Sequence, residues 1–334
     1  MVKLKPLNEQ VMVLTGASSG IGLSTARMAA RQGVRLVLAA RSEQALRQLT
    51  QELADGGGQA VFAVADVSRE EDVERIAELA RATYGGFDTW VNNAGVGMYG
   101  ELMDLSVEDM RRLFDINFWG VVYGSRAAVR GLRERGGALI NMGSVTSEQT
   151  IPLQALYSAS KHAVKGFTDG LRMELDHDGV PVAVTLIKPG PIDTPFPLNA
   201  RNYLDAEPQH VPPVYAPETV ARAVLHAATT PTRETYVGGG GKGIAASGEF
   251  APHATEQALA AVAIPRTLSD KPPLPPGRSI LYHASERLEE RGDYPGMVQS
   301  VSLYTEAANH RKWLGAGLIG AGLAAALWRR SQRD

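Results

Sequence analysis

Residues 11–22, VMVLTGASSGIG, decide the fold of this chain. The first four form a short, continuous apolar run with β-branched members, which predicts a buried strand. Three glycines follow, and the apolar spacing from Leu23 to Gln32 is that of a helix. Glycines at such a turn allow a tight bend and let backbone N–H groups approach a pyrophosphate at the helix N-terminus. Taken alone, the turn is compatible with a dinucleotide site and with an ordinary turn.

Length and composition limit what the chain can do. Its 334 residues can form one large α/β domain with an extension, or two ordinary domains. Thirty-four basic and 36 acidic residues leave a net charge of −2, which gives no reason to expect nucleic acid as a partner. The absence of cysteine excludes disulfides, thiolate zinc sites and a cysteine nucleophile, and we expect no metal. Residues 1–10 contain no apolar stretch of a signal peptide, so we expect a cytoplasmic catalytic domain.

The end of the second predicted strand, Val34 to Ala40, is where a dinucleotide fold selects its cofactor. An acidic residue there would bind the ribose 2′-hydroxyl of NAD, but this chain has Arg41 and Ser42. A guanidinium can bind a 2′-phosphate through two donors, and Ser42 is a candidate N-cap of the next helix. The pattern favours NADP, although a surface arginine that opens a helix is the alternative.

Two further strand ends carry recognisable residues. A strand from Gln59 to Ala65 ends at Asp66-Val67, and one from Phe87 to Val91 opens into Asn92-Asn93-Ala94-Gly95. Judged by its chemistry alone, Asp66 could be a simple loop residue. Strands that alternate with helical patterns predict a parallel sheet covered by helices.

A predicted helix from Leu156 to Leu175 carries Tyr157 and Lys161. Residues four apart on a helix project from the same face, so the phenol and the ammonium can converge. A nearby cation favours the phenolate and should lower the pKa of Tyr157, which suits a proton donor. Without other signals, such a pair is usually a rim residue and a solvated charge. Ser144 follows another strand, Ala138 to Met142, and should face the same crevice.

Together these motifs resemble the classical form of the short-chain dehydrogenase/reductase family, over roughly residues 8 to 245. The matching elements are T-G-x-x-x-G-x-G from Thr15, Asp66-Val67, N-N-A-G from Asn92, Ser144 and Y-x-x-x-K from Tyr157. The resemblance implies an α/β fold with a doubly wound, Rossmann-type parallel sheet of about seven strands and helices on both faces. It also implies a homodimer or homotetramer.

The resemblance implies a catalytic tetrad of Asn117, Ser144, Tyr157 and Lys161. In the family Tyr157 would protonate the substrate oxygen, Ser144 would hydrogen-bond it, and Lys161 would lower the pKa of Tyr157 and hold the nicotinamide ribose. Asn117 would position a water, although a core asparagine bonded to the backbone is the other interpretation. We predict that Asn117 lies in one long helix, Val107 to Glu134.

The implied reaction is hydride transfer between NADP(H) and a small-molecule carbonyl or secondary alcohol. Carbonyl reduction on a lipophilic substrate is favoured, and an NADP+-dependent alcohol dehydrogenase is the alternative. A non-catalytic NADP-binding protein with a redox-sensing or scaffolding role is the rival from another class. The predicted cofactor-binding residues are Gly16, Ser18, Ser19, Gly20, Ile21, Gly22, Arg41, Ser42, Asp66, Val67, Asn93, Ala94, Gly95, Tyr157, Lys161, Pro189, Gly190, Ile192 and Thr194.

The proline-rich segment from Pro195 to Pro217 follows a sixth strand, Pro181 to Ile187, and the Pro189-Gly190 turn. We predict a substrate lid there, with a plain surface loop as the alternative. The apolar residues expected to line its mouth are Phe196, Leu198, Tyr203, Val211 and Val214. A helix from Pro217 to Ala228 and a last strand from Glu234 to Val237 complete the catalytic domain.

The C-terminal third lies beyond the family pattern. Residues 246–312 are predicted as a partly ordered, linker-like extension with short helices. Residues 313–328 are 16 uncharged residues that begin and end with a tryptophan, with basic pairs on both sides. As a helix they would span about 24 Å, a little under the roughly 30 Å of a bilayer core. We predict a membrane anchor on the inner face, and a buried or dimer-forming helix is the alternative.

Overall fold

Seven parallel strands form the central sheet of the computed structural model, which describes residues 2–292 and 294–309. Their spatial order is β3-β2-β1-β4-β5-β6-β7, so the order reverses between β1 and β4. The predicted doubly wound fold is therefore confirmed, and its ligand crevice lies beyond the carboxyl ends of β1 and β4. The strands are β1 (Val11–Thr15), β2 (Arg35–Ala40), β3 (Gln59–Val64), β4 (Thr89–Asn92), β5 (Gly137–Met142), β6 (Val182–Pro189) and β7 (Glu234–Val237).

Helices cover both faces of this sheet. Along β1, Val11 and Val13 belong to one apolar cluster, whereas Met12 and Leu14 belong to another. Alternate strand residues point to opposite faces, so both faces are buried and the strands read as continuous apolar runs. The helices are α1 (Gly20–Arg31), α2 (Glu43–Asp55), α3 (Glu70–Tyr84), α4 (Val107–Phe114), α5 (Gly120–Leu132), α6 (Ala155–His177), α7 (Phe196–Asn199), α8 (Pro217–Thr229), α9 (Gly239–Phe250), α10 (Pro252–Thr267) and α11 (Leu303–Asn309).

The long helix predicted from Val107 to Glu134 is interrupted. Helices α4 and α5 are joined by a π-helical turn, Asp115–Trp119, which contains Asn117. The Asn117 amide is fully buried and is hydrogen-bonded in both directions to the main chain of Val96. A π turn inserts one extra residue into a helix and often marks a functional position.

The C-terminal region is more structured than the predicted linker. The glycines after β7 begin α9, and α10 follows after one residue. Residues 277–292, called the strap below, run back over the carboxyl edge of the sheet. Within the strap, Leu281 is only 1% exposed and belongs to the main apolar core. Short strand pairs join Val298–Gln299 to Val214–Tyr215 and Met98–Tyr99 to Arg201–Asn202.

A membrane-spanning helix was predicted at residues 313–328, which lie outside the described residues. Between residues 2 and 309, Asp293 excepted, no helix has the length and apolar character needed to cross a membrane.

Candidate active site

A first cavity lies beyond the carboxyl ends of β1, β2 and β4. All the residues predicted to bind the adenosine and pyrophosphate of a dinucleotide line it. The structure thus brings together residues from four separate parts of the chain. They are Gly16, Ser18, Ser19, Gly20, Ile21, Gly22, Arg41, Ser42, Asp66, Val67, Asn93, Ala94 and Gly95.

The glycine loop has the backbone that a bound pyrophosphate requires. Gly16 and Gly20 adopt positive φ angles of 66° and 50°, which glycine tolerates without strain. A Cβ at Gly22 would lie 2.0 Å from the carbonyl oxygen of Gly16, so no larger residue fits there. Ser19 is the N-cap of α1, and Gly20, Ile21 and Gly22 of its first turn line the cavity. Residues of this shape and polarity fit the pyrophosphate of a nicotinamide cofactor.

The Asn92–Gly95 segment is fixed to the end of β1. The Thr15 hydroxyl accepts hydrogen bonds from the N–H groups of Asn93 and Ala94, both at 3.1 Å. The Asn93 side chain in turn donates to the carbonyl oxygen of Thr15 at 3.0 Å. These bonds join the two strands that flank the crevice.

Arg41 and Ser42 close the adenosine end of the first cavity. The Ser42 hydroxyl accepts from the N–H of Ala45, which confirms its predicted role as the N-cap of α2. The Arg41 guanidinium also lines the cavity, and it donates to the carbonyl oxygens of Ile280 and Leu281 in the strap. This contact could not be predicted from the sequence, because main-chain acceptors leave no residue-type signature.

The Asp66 carboxylate is neutralised by a partner that sequence reasoning missed. Arg112, from α4, donates to Asp66 at 2.6 Å, and Ser68 donates both its N–H and its hydroxyl. Burial alone would raise the pKa of Asp66, but the bonds from Ser68 and Arg112 outweigh it and leave that pKa below its ordinary value. Asp66 therefore lines the cavity as a paired anion.

A second cavity, of about 320 Å³, adjoins the first and contains Ser144, Tyr157 and Lys161. The residues of the predicted nicotinamide turn, Pro189, Gly190, Ile192 and Thr194, line it as well. The residues that line both cavities are Ile21, Asn93, Gly95, Thr194 and Phe196. A ligand that fills the first cavity can therefore place one end beside Tyr157.

Tyr157 and Lys161 are both buried, and burial dominates their titration. Burial raises the pKa of Tyr157 to about 12, although a hydrogen bond with Ser144 acts in the opposite direction. Burial lowers the pKa of Lys161 to about 8. The Lys161 ammonium donates to the carbonyl oxygen of Met142 at 2.9 Å and lies 5.7 Å from the centre of the Tyr157 ring. The expected lowering of the Tyr157 pKa by Lys161 is therefore wrong for the protein alone, where desolvation is the larger effect.

Asn117 lies behind the cavity rather than in its wall. Its side chain bonds the main chain of Val96 and donates to the Ser160 hydroxyl at 3.2 Å. A Cβ built on Gly95 would lie 3.3 Å from Asn117 Oδ1 and 3.7 Å from Lys161 Nζ, so all three converge. The contacts of the asparagine side chain are thus those of a structural residue next to the lysine.

The predicted lid contributes only part of the cavity wall. The Phe196 ring meets the Tyr157 ring edge-on, with centroids 5.3 Å apart, and Val211 also lines the cavity. Leu198 faces a different cavity, the Tyr203 hydroxyl bonds Asp109, and Val214 is fully buried in a strand pair. The prediction is wrong for these three, because the segment folds back into short ordered elements.

Helix α10 supplies a wall that sequence reasoning missed. Five of its residues line the second cavity, namely Leu259, Val262, Ala263, Arg266 and Thr267. Counted from Leu259, their spacing of three, four, seven and eight residues is that of one helix face, and this was the available sequence signal. It was obscured by the neighbouring prolines, which made the region resemble a linker.

Comparison with known proteins places this site in a family. The model of the short chain dehydrogenase family matches residues 10–203. The chain belongs to that family. It is 47% identical over 335 residues to the uncharacterized oxidoreductase YxnA of Bacillus subtilis, covering 99% of this chain and 93% of the relative. An uncharacterized oxidoreductase of Staphylococcus aureus USA300 is 34% identical over 226 residues, which cover 67% of this chain and 93% of the relative.

Solved structures of this family show the same fold. An alcohol dehydrogenase from the archaeon Thermococcus sibiricus, complexed with 5-hydroxy-NADP, has a TM-score of 0.60 and 28% identity over 68% of this chain and 95% of its own. A short chain dehydrogenase/reductase from Burkholderia phymatum, in complex with NAD, has a TM-score of 0.63 and 25% sequence identity. The match covers 79% of this chain and 98% of that protein. The protein is therefore an oxidoreductase with a site for a nicotinamide cofactor.

Proposed function

We propose that this oxidoreductase is an NADP(H)-dependent carbonyl reductase that acts on lipophilic substrates. The observation that carries the proposal is the shared wall of the two cavities. Ser144 and Tyr157 line a largely apolar cavity that opens onto the cofactor cavity through residues common to both. A carbonyl compound held there would lie between a proton donor and the cofactor.

The preference for NADP(H) rests on the adenosine end of the first cavity. Arg41 provides a cation at the end of β2, and Ser42 caps the helix that starts beside it. Among the described residues that line this cavity the only carboxylate is that of Asp66, and it is paired with Arg112. A 2′-phosphate would find donors here, whereas a 2′-hydroxyl would lack the acidic partner typical of NAD sites. Related proteins are known in complex with either cofactor type, so the support comes from these residues.

The proposed proton chemistry uses residues of the second cavity. When bound, the nicotinamide supplies the hydride that adds to the carbonyl carbon. The Tyr157 hydroxyl donates its proton to the oxygen that becomes an alcohol, and Ser144 hydrogen-bonds the same oxygen. Charged Lys161 stabilises the tyrosinate left behind, and its removal from solvent strengthens that interaction. Asn117 holds the Val96 main chain beside Lys161 and keeps the pair in position.

The reverse reaction, NADP+-dependent oxidation of a secondary alcohol, uses the same residues. The Thermococcus sibiricus structure is described as an alcohol dehydrogenase, so this direction is the second candidate. Purified protein should be incubated with NADPH or NADH and a panel of ketones and aldehydes, and with NADP+ and the matching alcohols. We expect NADPH oxidation with bulky apolar carbonyls. Turnover with NADH alone, or with alcohols alone, would contradict the proposal.

We further infer that the protein forms a homodimer or homotetramer. The Trp119 ring, at the end of the π-helical turn, is 45% exposed and stacks on Tyr123 of α5, and Met173 on α6 is 67% exposed. Large apolar side chains exposed on adjacent helices favour a partner surface. Light scattering after size-exclusion chromatography would test this assembly.

A further inference from the structure

We infer that the substrate carries a carboxylate as well as an apolar body, and that Arg266 of α10 binds that carboxylate. This inference rests on the proposed function and names its substrate class. It starts from the charge of the second cavity, in whose lining the structure places no aspartate or glutamate among the residues it describes.

Arg266 is the fixed positive charge of this lining. The other ionisable side chains there, apart from the tyrosines, are Lys161 and His210. Lys161 is buried and its ammonium is committed to Met142. Burial lowers the pKa of His210 to about 4, so its imidazole is neutral at pH 7. A guanidinium stays protonated at any working pH.

The Arg266 side chain is exposed at the mouth of the cavity and is not engaged by another described residue. Its guanidinium makes no ion pair and no hydrogen bond with any residue in the ranges 2–292 and 294–309. Most arginines that contact another helix or strand of this fold form a hydrogen bond or an ion pair with a carboxylate or carbonyl oxygen there, as Arg112 does with Asp66. Five N–H donors are therefore free at the cavity mouth, in the planar arrangement that matches a carboxylate.

The main chain at the end of α10 is held in place next to Arg266. The next residue, Thr267, is 1% exposed, and its carbonyl oxygen accepts from the N–H of Gln209 at 2.9 Å. This bond ties the end of α10 to the segment that carries Val211. Arg266 lies on the same helix face as Leu259 and Val262, and all three residues line the cavity. An amphipathic substrate would place its apolar part against these side chains and its anionic group at Arg266.

The test compares 4-oxo-4-phenylbutanoate with its methyl ester, in which one methyl group on the carboxylate removes the charge. Binding to the NADP+-loaded protein is measured by calorimetry, and reduction is measured with NADPH. We expect both the Kd and the KM of the acid to be about tenfold lower than those of the ester. Arg266→Ala should remove that preference by weakening the acid alone, with kcat little changed, and Arg266→Lys should restore part of it.

Lys271→Ala is the matched control, because it removes a cation five residues away that lines a different cavity. Equal binding of acid and ester, absence of binding by both, or an equal effect of Arg266→Ala on both, would overturn the inference. The last result would show that Arg266 only stabilises the end of α10. If the acid binds through Arg266 but no carbonyl compound, charged or neutral, is reduced, the proposed reductase activity is wrong. Carboxylate binding by Arg266 is then still supported.

Discussion

The N–H of Gly20 donates to the carbonyl oxygen of Glu289 across 2.9 Å, which joins the glycine loop to the strap. Other bonds hold the strap beside the cofactor cavity. Arg27 pairs with Glu290 at 2.7 Å, and the N–H of Gly292 donates to Asp193 at 3.1 Å. The strap residues Ile280, Ala284 and Ser285 line the cavity itself. The C-terminal segment is therefore part of the wall that a cofactor would meet.

Gly292→Ala should loosen the strap and weaken NADPH binding. A Cβ at this position would lie 2.1 Å from the carbonyl oxygen of Thr194, so one of the two segments must move. Because the strap also holds Arg41, we expect the Kd of NADPH to rise about tenfold and proteolysis within the strap to accelerate. Fluorescence titration and limited proteolysis measure both effects.

Gly277→Ala is the control for this prediction. It adds the same methyl group at the other end of the strap, where nothing lies within 4 Å of the new Cβ. Its NADPH affinity should equal that of the parent protein. Unchanged affinity in Gly292→Ala would show that the strap plays no part in cofactor binding.

Arg41→Asp should reverse the choice of cofactor. A carboxylate at the end of β2 repels a 2′-phosphate and accepts a hydrogen bond from a 2′-hydroxyl. We expect the Kd of NADPH to rise at least about tenfold and that of NADH to fall. Arg47→Asp makes the same charge change on an exposed residue of α2, away from the cavity, and should leave the ratio of the two affinities unaltered. If Arg41→Asp leaves the ratio of the NADPH and NADH affinities unaltered, another group binds the 2′-phosphate.

The sequence was sufficient for the sheet and for the residues around the crevice. Strands with β-branched apolar runs and glycine turns leave local patterns, so the glycine loop, Asn93 and Tyr157 could all be placed. The strap and the wall formed by α10 could not be placed, because their positions depend on long-range contacts to main-chain groups. The direction of the pKa shift of Tyr157 could not be predicted from the sequence either, because it depends on how far the side chain is buried.

The rate of reduction should fall as the pH rises through about 8. Burial lowers the pKa of Lys161 to about 8, and the neutral amine cannot stabilise the tyrosinate that forms when Tyr157 gives up its proton. The pKa of Tyr157, raised to about 12, keeps the phenol protonated through this range. A kcat profile from pH 6 to 10 measures the effect. Lys161→Arg stays charged, so its remaining activity should lack the alkaline decline, and a flat profile in the parent protein would contradict the assignment.

The same shift predicts how Lys161 affects stability. Its pKa in the folded protein lies below the ordinary 10.5, so between pH 8 and 10.5 the unfolded chain binds more protons. The contribution of this residue to the free energy of unfolding therefore rises with pH in that window. In urea unfolding at pH 8 and pH 10, Lys161→Met should lack this increase. An identical change with pH in the parent and the variant would show that Lys161 keeps its ordinary pKa.

Residues 313–328 are proposed to anchor the protein to the inner face of a membrane. We expect the full chain to sediment with membranes and to need detergent for extraction. A version that ends at His310 keeps the strap and α11 and should be soluble, with its NADPH affinity unchanged. Full-length protein in the soluble fraction, or a truncated form that fails to fold, would show that these residues pack in the protein or between its copies.

Transfer of deuterium from NADPH in which both hydrogens at the nicotinamide C4 are replaced by deuterium tests the central claim most directly. The parent protein should place one deuterium on the carbinol carbon of a bulky apolar ketone. Tyr157→Phe should bind the labelled cofactor with unchanged affinity and form the labelled alcohol slower by a factor on the order of 10² or more. Deuterium that stays on the cofactor in the parent protein, or that is transferred equally fast by Tyr157→Phe, would contradict this account.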